Sequence, residues 1–214
     1  MKDGLPPLPA RLAHLPLSES GFPAPWFVAW RDGVPDFRCM DNQKFKMAVE
    51  QDRCWTCGEI NGVHKVFAIG PMCAVNKVTA EPPSHLECAE YSVKACPFLN
   101  DPKRRRREND MPEDGLVVGE MIKRNPGVTL LWSTRKFNPF RIDGGVMFQL
   151  GEPTALSWWC RGRTATRAEV DASIESGIPL LRASAATDGP DAVAELESMY
   201  RAAQKYLPAA AAAP

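Results

Sequence analysis

The sequence predicts an α+β fold, with a metal-stapled first part joined to a second strand-strand-strand-helix-helix half. Three observations predict it. Cys54-Trp55-Thr56-Cys57-Gly58 and Ser84-His85-Leu86-Glu87-Cys88 place two pairs of metal-type side chains in the first half of the chain. Apolar runs of strand character fill 127–162, and two helical patterns follow them. Residues 100–115, charged and interrupted by proline, stand between the two groups.

The elements follow in order. Residues 1–24 are Pro-rich and read as an arm without regular structure. Trp26 to Asp41 reads as a β-hairpin around the turn signal Asp32-Gly33. Asn42 then caps a helix running toward Arg53, with Phe45, Val49 and Met47 on its inner side. After Cys54–Gly58, an Asn61-Gly62 turn leads into a short apolar strand, Val66 to Ile69, broken by Gly70-Pro71. Ser84 follows two prolines, and Glu87 stands three positions on. That spacing predicts a capping box opening a helix that ends near Cys96, before Pro97.

In the second half, strands are expected over 127–137, 144–151 and 154–162. Thr166 and Glu169 form another capping box, for a helix ending near Ser176 because Gly177 and Pro179 follow. A last amphipathic helix is expected from Asp191 to Leu207, with Val193, Leu196, Met199, Ala203 and Leu207 on one side. The division is therefore an arm (1–24), a hairpin, helix and metal-binding part (25–99), a charged linker (100–115), an α+β half (116–207) and an Ala/Pro tail (208–214).

Composition narrows the function classes. Formal net charge is zero, so no global electrostatic attraction to nucleic acid or membrane exists, and any such partner must be met by a local patch. Prolines interrupt the opening MKDGLPPLPARLAHLPLSES, which excludes the unbroken apolar core of a secretory leader. No run reaches the ~18 apolar residues needed to cross a bilayer. The expected location is the cytoplasm, with no membrane partner. Seven cysteines, an odd number, do not suit a disulfide framework in that compartment. Metal binding and burial explain them better.

Zinc takes four thiolate or imidazole ligands in a tetrahedron. In Cys54-x-x-Cys57-Gly58 two sulfurs converge on a tight knuckle, and the glycine takes a backbone angle that a side chain would hinder. His85 and Cys88, three positions apart at a helix start, lie on one face and meet the knuckle sulfurs. Cys73 is the alternative fourth ligand in place of His85. Cys96 is two turns beyond Cys88, roughly 12 Å along a continuous helix, and cannot reach the same ion. A second site built from His64, Cys73 and Cys96 is a weaker option. Cys39 and Cys160 read as core. Four good ligands leave no open position for water, so the zinc is expected to be structural.

The order of knuckle, hairpin and ligand-bearing helix over about residues 53–98 resembles the treble-clef zinc fingers. That fold serves many tasks. It also frames His-Asn-His nucleases, which makes His64, followed by Asn76, a candidate general base. The acidic-His pair of that motif is missing, since residues 63–65 are Val-His-Lys.

The strongest local charge feature is Lys103-Arg104-Arg105-Arg106-Arg107, a run suited to phosphates, although Glu108, Asp110, Glu113 and Asp114 partly neutralise it. Arg161 and Arg163, just after Trp158-Trp159, offer a second basic and aromatic stretch. Trp26, Trp30 and Trp132 are further aromatics, read first as core. The resulting expectation is a zinc-stabilised binding protein. A nucleic acid is its first candidate partner, a host or phage protein its second, and metal-dependent nuclease action through His64 the third reading.

Several phrases are similar to a family of uncharacterised bacterial and phage-borne proteins. They are Pro25-Trp26-Phe27-Val28, Asp32-Gly33-Val34-Pro35-Asp36-Phe37-Arg38, Ile69-Gly70-Pro71-Met72-Cys73-Ala74-Val75-Asn76, Pro82-Pro83-Ser84-His85, Ala95-Cys96-Pro97-Phe98-Leu99 and Gly162-Arg163-Thr164-Ala165-Thr166-Arg167-Ala168-Glu169. The resemblance covers most of the chain. It implies an intact natural domain of bacterial or phage origin and carries no activity with it.

Overall fold

The computed structural model describes residues 1–104 and 125–209. The strands are β1 (Val28–Arg31), β2 (Val34–Met40), β3 (Lys65–Ile69), β4 (Val78–Thr79), β5 (Thr129–Thr134), β6 (Phe137–Ile142), β7 (Gly145–Leu150), β8 (Pro153–Cys160) and β9 (Arg163–Thr164). The helices are α1 (Asn42–Glu50), α2 (Pro71–Asn76), α3 (Leu86–Ala95), α4 (Pro97–Asn100), α5 (Arg167–Asp188) and α6 (Pro190–Ala203). The fold thus mixes helices with strands that pair antiparallel throughout.

The central sheet has the order β3-β5-β8-β9, and a second sheet has the order β4-β7-β6. Both sheets therefore combine strands from before and after the charged segment. Thr-Leu-Leu-Trp-Ser-Thr of β5 is buried along its whole length, as an inner strand covered on both faces should be. Its alternation sorts the two sides. Leu130 and Trp132 join Phe67 and Ile69 of β3 in the main core, with Phe148, Trp158, Ile174 and Leu196 from β7, β8, α5 and α6. Leu131 and Val66 point the other way, against Ala89 and Val93 of α3. The two expected halves contribute to one main core and to both of these sheets.

Sequence and structure differ at several elements, each for a local reason. The strand expected over 127–137 is β5, and β6 is a further strand that begins where the expected one was to end. β6 carries Pro139 and forms the edge of its sheet, the position where a missing N–H costs no ladder bond. Among the described residues the second half therefore holds five strands before its two helices, not three. The helix expected to stop near Ser176 continues as α5 through Pro179 to Asp188. Proline removes one intrahelical bond, but Ile174 and Ile178 before it are buried, and Leu181 and Ala185 beyond it pack on the main core. Thr166 and Glu169 do form the expected capping box. At α1 the cap is Asp41 rather than Asn42, its carboxylate accepting from the amides of Gln43 and Lys44. The arm carries one short 3-10 turn, Ala10–Leu12, and is packed down rather than loose.

Candidate metal centre

The knuckle is closed by its own backbone. The Gly58 amide donates to the Cys54 carbonyl at 2.8 Å and the Cys54 amide to Glu59 at 2.7 Å. Gly58 sits at φ +79°, in the left-handed region that favours glycine. Trp55, between the two cysteines, stacks on Phe27 with ring centroids 4.6 Å apart and meets the Phe45 edge at 5.7 Å. The knuckle is thereby seated on the hairpin and α1.

Three contacts bring the second ligand pair to it. The Trp55 amide donates to the Pro83 carbonyl at 3.0 Å. The Thr56 and Ser84 hydroxyls are hydrogen-bonded at 2.9 Å. Val66 and Ser84 form an isolated antiparallel bridge. Ser84 is therefore spent on tertiary contacts, and the capping box expected with Glu87 does not form. The N-cap of α3 is His85, without a side-chain cap bond. Its amide donates to Cys54 Sγ at 3.4 Å instead.

The result is a cluster of Cys54, Cys57, His85 and Cys88, with all four ligating atoms within 4.8 Å of one another. His85 Nδ1 lies 3.4 Å from Cys57 Sγ and 3.9 Å from Cys88 Sγ. Metal–sulfur bonds of ~2.3 Å and a metal–nitrogen bond of ~2.0 Å, set tetrahedrally, require S···N edges of about 3.5 Å. The observed edges bracket that value. His85 Nε2 is 3.0 Å from the Ile60 carbonyl. That bond places the proton on Nε2 and leaves the Nδ1 lone pair for a metal. Cys54 Sγ accepts from the amides of Cys57 and His85, at 3.5 and 3.4 Å, which suits a thiolate.

Packed this closely, three thiols cannot all ionise on their own. Hydrogen bonds from Cys57 and Cys88 draw Cys54 well below the usual thiol range. The bond to Cys54 pushes Cys57 up to about 11. Cys88 is driven far higher by Cys54, then Cys57, then burial. A divalent cation removes the conflict by compensating all three sulfurs at once. These residues fit a metal ion, and four donors complete a tetrahedron. Among the described residues no other group of three or more such side chains meets.

The other candidates fall elsewhere. Cys73, the alternative ligand, lies on α2 against the main core, where burial pushes its thiol up to about 11. Cys96 sits at the junction of α3 and α4, its thiol raised by burial. Cys39 and Cys160 are buried, as expected. His64 is exposed on the bend leading into β3. Asn76 uses its side chain to accept from the Val78 amide at 3.0 Å, a turn contact.

Of the basic residues, Lys103 is exposed, and Arg104 is 3.5 Å from Asp101. Arg105, Arg106 and Arg107 lie outside the described residues. Arg161 is exposed at φ +51° in the two-residue turn between β8 and β9. Arg163 is bound through both Nη atoms to Glu169, at 2.9 and 2.7 Å, and this bond holds the carboxyl at about 2. Trp132 and Trp158 are core, their indole N–H groups donating to Gly151 and Tyr206 carbonyls at 3.0 and 2.9 Å.

Sequence reasoning missed two contributors. Lys94, near the end of α3, places its ammonium 5.0 Å from the Trp159 ring centre. Asn125 donates to the carbonyls of Phe98, Asp101 and Arg104 at 2.8, 3.1 and 3.1 Å and so clips that loop together. Neither has a local signature, because both act through chain segments remote in sequence.

The chain matches no known protein family, no curated protein and no solved structure. No helix among the described residues is long and apolar enough to cross a membrane.

Proposed function

We propose that the chain is a zinc-stabilised, nucleic-acid-binding protein in which the metal is structural. Three thiolates and one imidazole form a donor set suited to zinc, with no position left for a reacting water. A treble-clef-like reading is supported by the order of knuckle, β3 and α3 and by the Val66–Ser84 bridge, which returns the chain beside β3 before the helix starts. The segment α2–β4 is inserted between the two arms of that bridge. A cytoplasmic location and a bacterial or phage source belong to the same reading.

One observation supports the choice of partner: the turn bearing Arg161 lies against the end of α3 and Asn100, close in sequence to Lys103 and Arg104. A Cβ on Gly162 would lie 2.9 Å from Asn100 Nδ2 and 3.6 Å from the Lys94 backbone. The turn bearing Arg161 thus rests on the end of α3 and on the loop, clipped by Asn125, that bears Lys103 and Arg104. Lys94, Lys103, Arg104 and Arg161 suit a phosphate backbone, which is bound by clustered cations and without sequence readout.

Replacing Lys103, Arg104 and Arg161 together by alanine tests this. Binding to short mixed-sequence DNA, measured against salt concentration, is expected to weaken, and the log–log slope to flatten by roughly 0.9 per lost phosphate contact on duplex or 0.7 on single strands. An unchanged affinity and slope would remove the surface from the account.

A second reading, docking to a protein, is favoured by one feature. Trp30, Val34 and Phe37 are 40–50% exposed on the β1–β2 hairpin, a two-stranded sheet with no further strand on either edge among the described residues. A specific partner that stays bound after nuclease treatment, with no DNA affinity in the purified chain, would decide for it.

A further inference from the structure

We propose that residues 5–15 are a strap closed over the metal centre, which retards escape of the ion and lifts when the ion is lost. The inference rests on the metal-binding reading above and adds to it a role for the Pro-rich arm.

The arm supplies the apolar cover of the ligands. Leu12 is fully buried and Leu15 nearly so, in one cluster with Cys54, Cys57, Cys88, Tyr91 and Ala95. Leu5, Leu8 and Trp26 pack at its margin. The 3-10 turn positions these leucines: the Leu12 amide donates to Pro9 at 2.9 Å, and the Leu15 amide to Leu12 at 3.1 Å.

Polar contacts fasten the strap to both ligand pairs. Arg11 Nε donates to Glu87 at 2.7 Å, beside Cys88 on α3. Arg11 Nη1 donates to Glu59, just past Cys57 and Gly58 on the knuckle. One guanidinium therefore spans the knuckle and α3, in addition to the Trp55–Pro83 and Thr56–Ser84 bonds between them. The ring of His14 bonds the Cys57 carbonyl through Nε2 at 3.0 Å.

The strap also has its own fixed base. Ser18 and Phe22, Pro16 and Ala24, and Lys2 and Gly21 are joined by backbone bonds of 2.8–2.9 Å, which fold the arm's far end on itself. The Trp26 amide then ties the chain to Thr56 at 2.7 Å. The segment bearing Arg11, Leu12, His14 and Leu15 can lift without the rest of the arm unfolding.

Coupling follows from geometry. Loss of the ion removes the link between the knuckle sulfurs and Cys88, which leaves the knuckle held to the start of α3 by the Trp55–Pro83 and Thr56–Ser84 bonds and loosens Glu59 against Glu87 and the surface under Leu12. By linkage, whatever factor the strap adds to metal retention, the metal adds to strap docking.

The test uses the full chain loaded with zinc. Release to a metal-indicator dye in excess chelator is timed for wild type, for R11A/H14A and for L12A. A control, Leu196→Ala, sits in the main core away from the site. Both strap variants are expected to release zinc faster by a factor in the range of about 5 to 150 typical of intramolecular coupling, with the control near wild type. R11A/H14A alters only exposed side chains, so it reads the strap even where L12A folds poorly. Hydrogen exchange supplies the reciprocal arm: removing zinc is expected to expose the amides of 10–15 while those of β5 stay protected. Wild-type release rates in R11A/H14A, or arm amides equally protected without zinc, would overturn the strap while leaving a zinc-binding chain. A chain that takes up no zinc would sink the metal reading and the strap with it.

Discussion

Cys88→Ser is expected to abolish stoichiometric metal binding and to unfold the region around the knuckle. Cys88 is completely buried, and its sulfur closes the cluster with Cys54, Cys57 and His85. Serine presents a hydroxyl that stays protonated and is a poor zinc ligand. Binding energy at such a site is folding energy, and the cluster beneath it is small. Leu12, Leu15, Tyr91 and Ala95 are its main apolar members besides the cysteines. A loss of 3 kcal/mol or more, on the order of the largest single-substitution effects, should appear as a lowered denaturant midpoint. The decisive feature is non-additivity. If one ion joins the four residues, C54S/C88S should be hardly worse than either single change, because the first already forfeits the ion. Additive losses would mean separate buried thiols.

Gly58→Ala is expected to cost about 2–5 kcal/mol, the sum of left-handed backbone strain and overpacking. The backbone there is at φ +79°, and an added Cβ would stand 2.6–2.8 Å from Cγ, Cδ1 and Cδ2 of Trp26. Those are ring atoms next to the backbone, not the free end of a flexible chain. Trp26 is also tied to the knuckle by its amide bond to Thr56 at 2.7 Å, so the ring cannot retreat without opening the turn. Gly62→Ala makes the control. Nothing lies within 4 Å of its Cβ position and its φ is ordinary for any residue, so its effect should stay within about 0.5 kcal/mol. Equal midpoints for the two variants would contradict the account of the knuckle. The Trp26→Leu background should recover the overpacking part of the Gly58→Ala loss and leave the backbone part.

The ligand set was legible because its signal is local. A Cys-x-x-Cys-Gly turn and a His-x-x-Cys helix start each fix two donors by backbone geometry alone, and only one ion can satisfy both. The hairpin at Asp32-Gly33 was legible for the same reason, both residues taking positive φ. What was not legible depends on partners distant in sequence. Ser84 and Glu87 carry every local mark of a capping box, yet Thr56, Val66 and Arg11 claim them. Pro179 reads as a helix stop, yet burial of Ile178 and packing of Leu181 outweigh one lost hydrogen bond. β6 was not expected as a strand, and its Pro139 is tolerated because the strand lies at a sheet edge. The shared core was hidden for a similar reason: the antiparallel pairing of β3 with β5 joins residues 65–69 to 130–134, across the segment that looks most like a boundary.

Native mass spectrometry of the purified chain, before and after chelation, tests the central claim most directly. The account predicts one zinc ion per chain and, once chelator removes it, a shift to the higher charge states of a partly unfolded protein. A metal-free chain that is already compact at neutral pH, with charge states that chelator does not alter, would contradict it.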